Sequence, residues 1–167
     1  MKANAAGLLM GLGVLISNLG CQEMKHMTGP SIAGTYVLEY RIQADGKRVD
    51  PPNAGGLMTF TDKYRNFNVY WTENGKLYNV SCIARYWFDG KTYTEETTWF
   101  TSNLPGTSGV VYQTASEKGT SAVTEQDGKY SWKLPLHQEP EVVVSRHEML
   151  ATRSGPNGWV DHWKRVE

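Results

Sequence analysis

The strongest constraint in this chain is a one-by-one alternation of apolar and polar residues over short segments, broken by turn dipeptides. Residues two apart share a face of a strand, whereas a helix repeats every 3.6 residues. The pattern therefore predicts strands, and no long segment carries a helical period. Tyr36, Leu38, Tyr40 and Ile42 share one face, with Thr35, Glu39 and Arg41 on the other. Phe67, Val69 and Trp71 form a second row. The longest alternation sets Tyr78, Val80, Cys82, Ala84, Tyr86 and Phe88 against Asn79, Ser81 and Arg85. Asp45-Gly46, Asn74-Gly75, Asp89-Gly90 and Asp127-Gly128 are tight-hairpin signals. Segments 56–61, 92–100, 109–114, 121–125, 129–134, 141–152 and 159–167 bring the expected total to about ten strands.

A long meander with one apolar face must bury that face and hide its edges. With no helix to cover it, the expected fold is all-β: an up-and-down antiparallel β-barrel of about 8–10 strands. A two-sheet sandwich is the alternative.

The N-terminus reads as an export signal. Lys2 precedes an apolar run over 5–16, shorter than the roughly 20 residues of a membrane span and suited to a signal peptide. The run ends in Ser17-Asn18-Leu19-Gly20-Cys21, which resembles the lipobox of bacterial lipoproteins. That resemblance implies acylation of Cys21 and a lipid anchor in the bacterial cell envelope; the alternative is a secreted or periplasmic protein. The expected organisation is a signal peptide over 1–20, a polar, Met-rich tether over 21–30 and one barrel domain over 31–167. The chain has 2 cysteines, and a lipidated Cys21 cannot pair with Cys82, so no disulfide framework is expected. Cys82 reads as a small buried thiol. Lys plus Arg and Asp plus Glu both number 17, with no basic stripe, which argues against a nucleic-acid partner.

Several motifs in order resemble bacterial lipocalin-like domains of the calycin-like group. Ile32-Ala33-Gly34-Thr35-Tyr36 resembles the opening of their first strand, with Tyr36 where the family has Trp. Asp45-Gly46-Lys47 and Gly55-Gly56-Leu57-Met58-Thr59-Phe60 resemble the next turn and strand. Tyr86-Trp87-Phe88-Asp89-Gly90-Lys91-Thr92-Tyr93-Thr94-Glu95 resembles the central hairpin, and His162-Trp163-Lys164-Arg165-Val166 the last strand. The resemblance implies a barrel in which Arg165 lies across the Tyr36 ring and links last strand to first, a cation–π contact of roughly 0.5–2 kcal/mol.

Candidate site residues follow from parity. The chain has 6 Trp, 9 Tyr and 4 Phe, and many fall on the inferred inner face. They either fill the core or line a cavity for an apolar or planar ligand. Trp71 and Tyr86 could form an apolar wall. Tyr93, Glu95 and Thr97 occupy alternate positions, so an inward Tyr93 brings Glu95 and Thr97 inward. Three readings of Glu95 stay open: a solvated face, a polar ligand anchor together with Arg146, or acid–base chemistry with His147. The choice depends on the register of 141–152, which the sequence leaves undecided. No metal-ligand spacing, phosphate loop, nucleophile elbow or dinucleotide fingerprint is present, so neither metal, cofactor nor catalytic residue is assigned. The leading expectation is an envelope-tethered barrel that binds a small hydrophobic or amphipathic molecule. A filled barrel acting as an interaction module is the alternative, and an enzyme is a third.

Overall fold

The computed structural model describes residues 30–166; Cys21 and the leader lie outside the described residues. The chain is all-β. In order, the strands are β1 (Gly34–Gln43), β2 (Arg48–Val49), β3 (Ala54–Phe60), β4 (Tyr64–Glu73), β5 (Lys76–Phe88), β6 (Thr92–Asn103), β7 (Val111–Gln113), β8 (Glu117–Ala122), β9 (Thr124–Gln126), β10 (Lys129–Lys133), β11 (Glu141–Val144), β12 (Glu148–Arg153) and β13 (Trp159–Arg165). They form one antiparallel sheet curled into a half-barrel, in the order β7-β6-β5-β4-β3-β1-β13-β12-β11-β10-β9. First and last strands are therefore neighbours. β2 pairs with β1, and β8 pairs with β6. Only Val123 separates β8 from β9, which pairs with β10, so the 117–126 segment runs from one end of the strand order to the other.

The expected count of about ten strands falls short of the 13 among the described residues. The three extra strands are the short β2, the division of the segment around 121–125 into β8 and β9, and the division of 141–152. Segment 141–152 is two strands, not one, because 145–147 turn between β11 and β12. Val142 and Val144 are buried on one arm, Met149 and Ala151 on the other. The turn resets the parity, so neither single register holds. The signals Asn74-Gly75 and Asp127-Gly128 close two-residue hairpins with φ of 52° and 74°, and 53° and 72°, the left-handed pair such turns require.

Two bulges move side chains that simple alternation misplaces. In β1, Glu39 is an extra residue between the pairs Leu38–Trp163 and Tyr40–His162. Tyr36 and Leu38 are buried, but beyond the bulge Arg41 turns inward in place of Tyr40 and Ile42. Tyr40 instead stacks on His162 at 4.2 Å between centroids. In β6, Thr98 is the extra residue between Ala84–Thr97 and Ile83–Trp99. Tyr93, Glu95 and Thr97 point inward before it, Phe100 and Ser102 after it. Trp99 is left half-buried beside Tyr112.

Part of the interior is filled with rings. Tyr36 meets Phe60 edge-on, Phe60 meets Tyr86 edge-on, and Tyr93 stacks between Tyr86 and Trp132 at 5.9 and 5.1 Å. Tyr36 and Arg165 are direct register partners on β1 and β13, with the guanidinium 5.9 Å from the ring centroid. Arg165 also donates from Nη2 to the Ala33 carbonyl.

Candidate functional site

The rest of the interior is open. A cavity of about 620 Å3 is walled by Met58, Phe67, Val69, Trp71, Val80, Phe100, Ala151 and Trp163. Exposed residues Asp45, Pro105, Gln138, Arg153 and Asn157 also line it, so it opens to solvent at that end. Its buried charged groups form two clusters centred on arginines.

The first cluster joins three parts of the chain. Arg65 of β4 is two residues before Phe67 and faces inward with it. Its Nη2 donates to Glu95 Oε1 of β6 at 2.6 Å, and to both carboxylate oxygens of Glu139 at 2.8 and 2.9 Å. Side-chain exposure is 0% for Arg65, 0% for Glu95 and 6% for Glu139, so these charges stabilise one another with almost no help from water. The Tyr93 hydroxyl donates to the other Glu95 oxygen, Oε2, at 2.5 Å. Arg65 Nε and Nη1 are buried without a hydrogen-bond partner.

Glu139 arrives on the 134–140 connection between β10 and β11. Its inward fold is held by hydrogen bonds from Leu134 N to the Pro140 carbonyl and from Glu139 N to the Leu136 carbonyl, both 3.0 Å. Consecutive non-glycine residues His137 and Gln138 take φ of 54° and 52°, a conformation of the kind that clusters at binding sites. The turn packs tightly on β8: a Cβ on Gly119 would lie 2.8 Å from both Leu136 and Pro135, so only glycine fits there. His137 stacks on Phe100 at 4.0 Å, with its Nε2 2.9 Å from the Thr97 hydroxyl.

Burial sets the proton affinities here. It pushes the Glu139 carboxyl up to about 7, against the pull of Arg65 and with the repulsion of Glu95. Burial alone would lower Arg65, but Glu139 and Glu95 outweigh it and hold the guanidinium well above its ordinary value. Burial raises the Tyr93 phenol well above its usual range and the Cys82 thiol to about 12, which leaves Cys82 an inert core residue at neutral pH. His137 is lowered, chiefly by burial, so its neutral form persists to a lower pH than that of an ordinary imidazole.

The second cluster joins first strand to last. Arg41 Nε and Nη2 donate to Asp161 Oδ1 and Oδ2 at 2.6 and 2.8 Å, and the Arg41 guanidinium lies 4.4 Å from the ring centroids of both Trp71 and Trp159. Burial raises the Asp161 carboxyl despite its bonds to Arg41.

Of the residues expected from sequence to meet a ligand, Trp71 lines this cavity. Glu95 and Tyr93 lie one layer behind it, reaching it through Arg65, and Thr97 reaches it through His137. Tyr86 belongs to the ring stack. Arg146 is not Glu95's partner. It sits exposed, with His147, in the turn between β11 and β12, because that segment reverses before either could point inward. Arg65 takes the place expected of Arg146. Arg65, Glu139, Arg41 and Asp161 are the site residues that sequence reasoning missed. Among the described residues no group of three His, Cys, Asp or Glu is placed to hold a metal ion.

No family model, no curated protein and no solved structure matches the chain.

Proposed function

We propose that this protein is a small-molecule binding barrel of lipocalin-like type, held at the bacterial envelope through Cys21, that takes a hydrophobic or amphipathic ligand into its open end. The cavity carries the reading. At about 620 Å3 it falls within the roughly 300–1,000 Å3 usual for small-ligand sites. Its inner walls are largely aromatic and aliphatic, with buried charges gathered in two fixed clusters and further polar residues toward the open end, a composition that can give a ligand both affinity and orientation.

Trp71, Trp159 and Trp163 line the space, so intrinsic fluorescence should report an occupant. Titration with environment-sensitive apolar dyes should give a saturable change with micromolar or tighter affinity. Ala151→Trp, which fills the cavity from β12, should abolish it. A Trp-filled variant that binds as well as the parent would place the dyes elsewhere and remove this reading. Envelope tethering is tested separately: Cys21→Ser should release the chain from the membrane fraction and end labelling by a fatty-acid analogue.

A protein-interaction role is supported by one other feature. Val110, Val111 and Tyr112 are 49%, 46% and 65% exposed on and beside β7, at one end of the strand order. Edge strands with apolar side chains are ready to pair with another chain.

A further inference from the structure

We propose that the ligand is an amphipathic amine, its ammonium seated against Glu139 and its apolar part against the tryptophan walls. This rests on the ligand-binding reading above and adds the charge of the head group to it.

The argument begins with charge balance. The buried cluster holds one guanidinium and two carboxylates. Glu95 is met on one oxygen by Arg65 and on the other by Tyr93, whereas Glu139 is met by Arg65 Nη2 alone. The basic side chain nearest in sequence is His137, and it does not restore the balance. Its Nε2 is at the Thr97 hydroxyl, its Nδ1 lies 4.0 Å from Glu117, and burial favours its neutral form. A buried carboxylate without a matching cation costs several kcal/mol of solvation, and it recovers this by taking up a proton or a cation. The position of the Glu139 titration near 7 is the same imbalance expressed in protons.

The wider cavity points the same way. Its lining carries Asp45, Glu73, Glu139 and Asp161 against Arg41, Arg65 and Arg153, with Glu95 immediately behind. Its aromatic faces already hold cations: Arg41 lies between Trp71 and Trp159, and Arg65 lies 4.7 Å from the Phe67 centroid. Glu139 and Glu95 occupy Arg65 only at Nη2, leaving Nε and Nη1 unpaired, but an anionic head group there would add a third negative charge beside two buried carboxylates.

Three probes of equal chain length test the charge: decylamine, decanol and decanoate, titrated into the full chain at pH 8 while tryptophan fluorescence is followed. The expected order is amine, then alcohol, then carboxylate, with the amine at least about tenfold tighter than the alcohol, the scale of one charge-assisted contact. Lowering the pH through 7 should erode the preference, because Glu139 then takes a proton while the amine stays charged. The charged and titratable groups that face Glu139 are Arg65 of β4, Cys82 of β5, and Tyr93 and Glu95 of β6, with Arg65 and Glu95 setting its titration beside burial. Glu139→Gln should equalise amine and alcohol. If that variant does not fold, the comparison of three probes on the parent chain decides alone. Equal affinity for amine and alcohol overturns the amine proposal and leaves the cavity reading standing. Preference for decanoate overturns it in favour of Arg65 as the receptor. Failure of all three probes to bind removes the cavity reading as well.

Discussion

Arg41 and Asp161 are direct cross-strand partners on the first and last strands, and their side chains meet in a two-bond ion pair of 2.6 and 2.8 Å with both residues 2% exposed. The pair fastens the two termini of the domain where β1 and β13 meet. Asp161→Ala leaves a guanidinium buried between Trp71 and Trp159 with no counter-charge, which should cost about 3–5 kcal/mol in urea unfolding. Replacing both members with apolar residues of similar size, Arg41→Met with Asp161→Leu, should recover most of that loss. A double variant as unstable as the single one would mean the pair contributes more than its own desolvation penalty.

The half-barrel was legible because a period of two survives almost everywhere along the chain. The site was legible only where that period is unbroken. Parity carries the row of Phe67 and Trp71 back to Arg65, and the row of Trp163 back to Asp161, so both buried charges are implicit in the strands. Arg41 was hidden by the bulge at Glu39, which reverses the inner face without a local sequence signal such as glycine. Glu139 was hidden for a different reason. It lies in a turn rich in proline, where no repeat says which side chains face in, and its burial comes from contacts with distant β4 and β8. Arg146 misled because a turn at 145–147 lacks glycine and asparagine and reads as continuous strand.

Arg65 is the element on which the inner cluster depends. Arg65→Met would bury two carboxylates within reach of each other and of no cation, so about 3–5 kcal/mol should be lost at pH 8. Glu139→Gln removes the unbalanced charge instead, and should change stability by about 1 kcal/mol or less at that pH. Equilibrium unfolding of the two variants side by side checks the contrast. Equal losses would mean that Glu139 is as necessary to Arg65 as Glu95 is.

The contact between Tyr36 and Arg165 is long for its kind, 5.9 Å from charge to ring centroid, but the arginine also holds the Ala33 carbonyl. Arg165→Ala should therefore destabilise by about 1–3 kcal/mol, most of it from the lost hydrogen bond. A double-mutant cycle with Tyr36→Leu should give a coupling of about 0.5 kcal/mol. A coupling of zero would show that the ring contact contributes nothing to the loss.

Glu139 also predicts how stability varies with pH. Its carboxyl titrates near 7 in the folded chain, against an ordinary value of 4.5, because burial and Glu95 together outweigh Arg65. Between those two values the native state keeps a proton that the unfolded chain has released. Stability must then fall as pH rises through this window, the reverse of the usual carboxylate behaviour. The full contribution is present below about 4.5 and is lost above about 7, and a shift of this size corresponds to roughly 3 kcal/mol. Asp161 is raised as well and adds a slope of the same sign from its own ordinary range of 3.8 upward. Urea midpoints measured from pH 4.5 to 8 should decline and then level, and Glu139→Gln should flatten the segment approaching 7 while leaving the Asp161 portion. Stability that rises across this interval would show that Arg65 holds Glu139 ionised throughout.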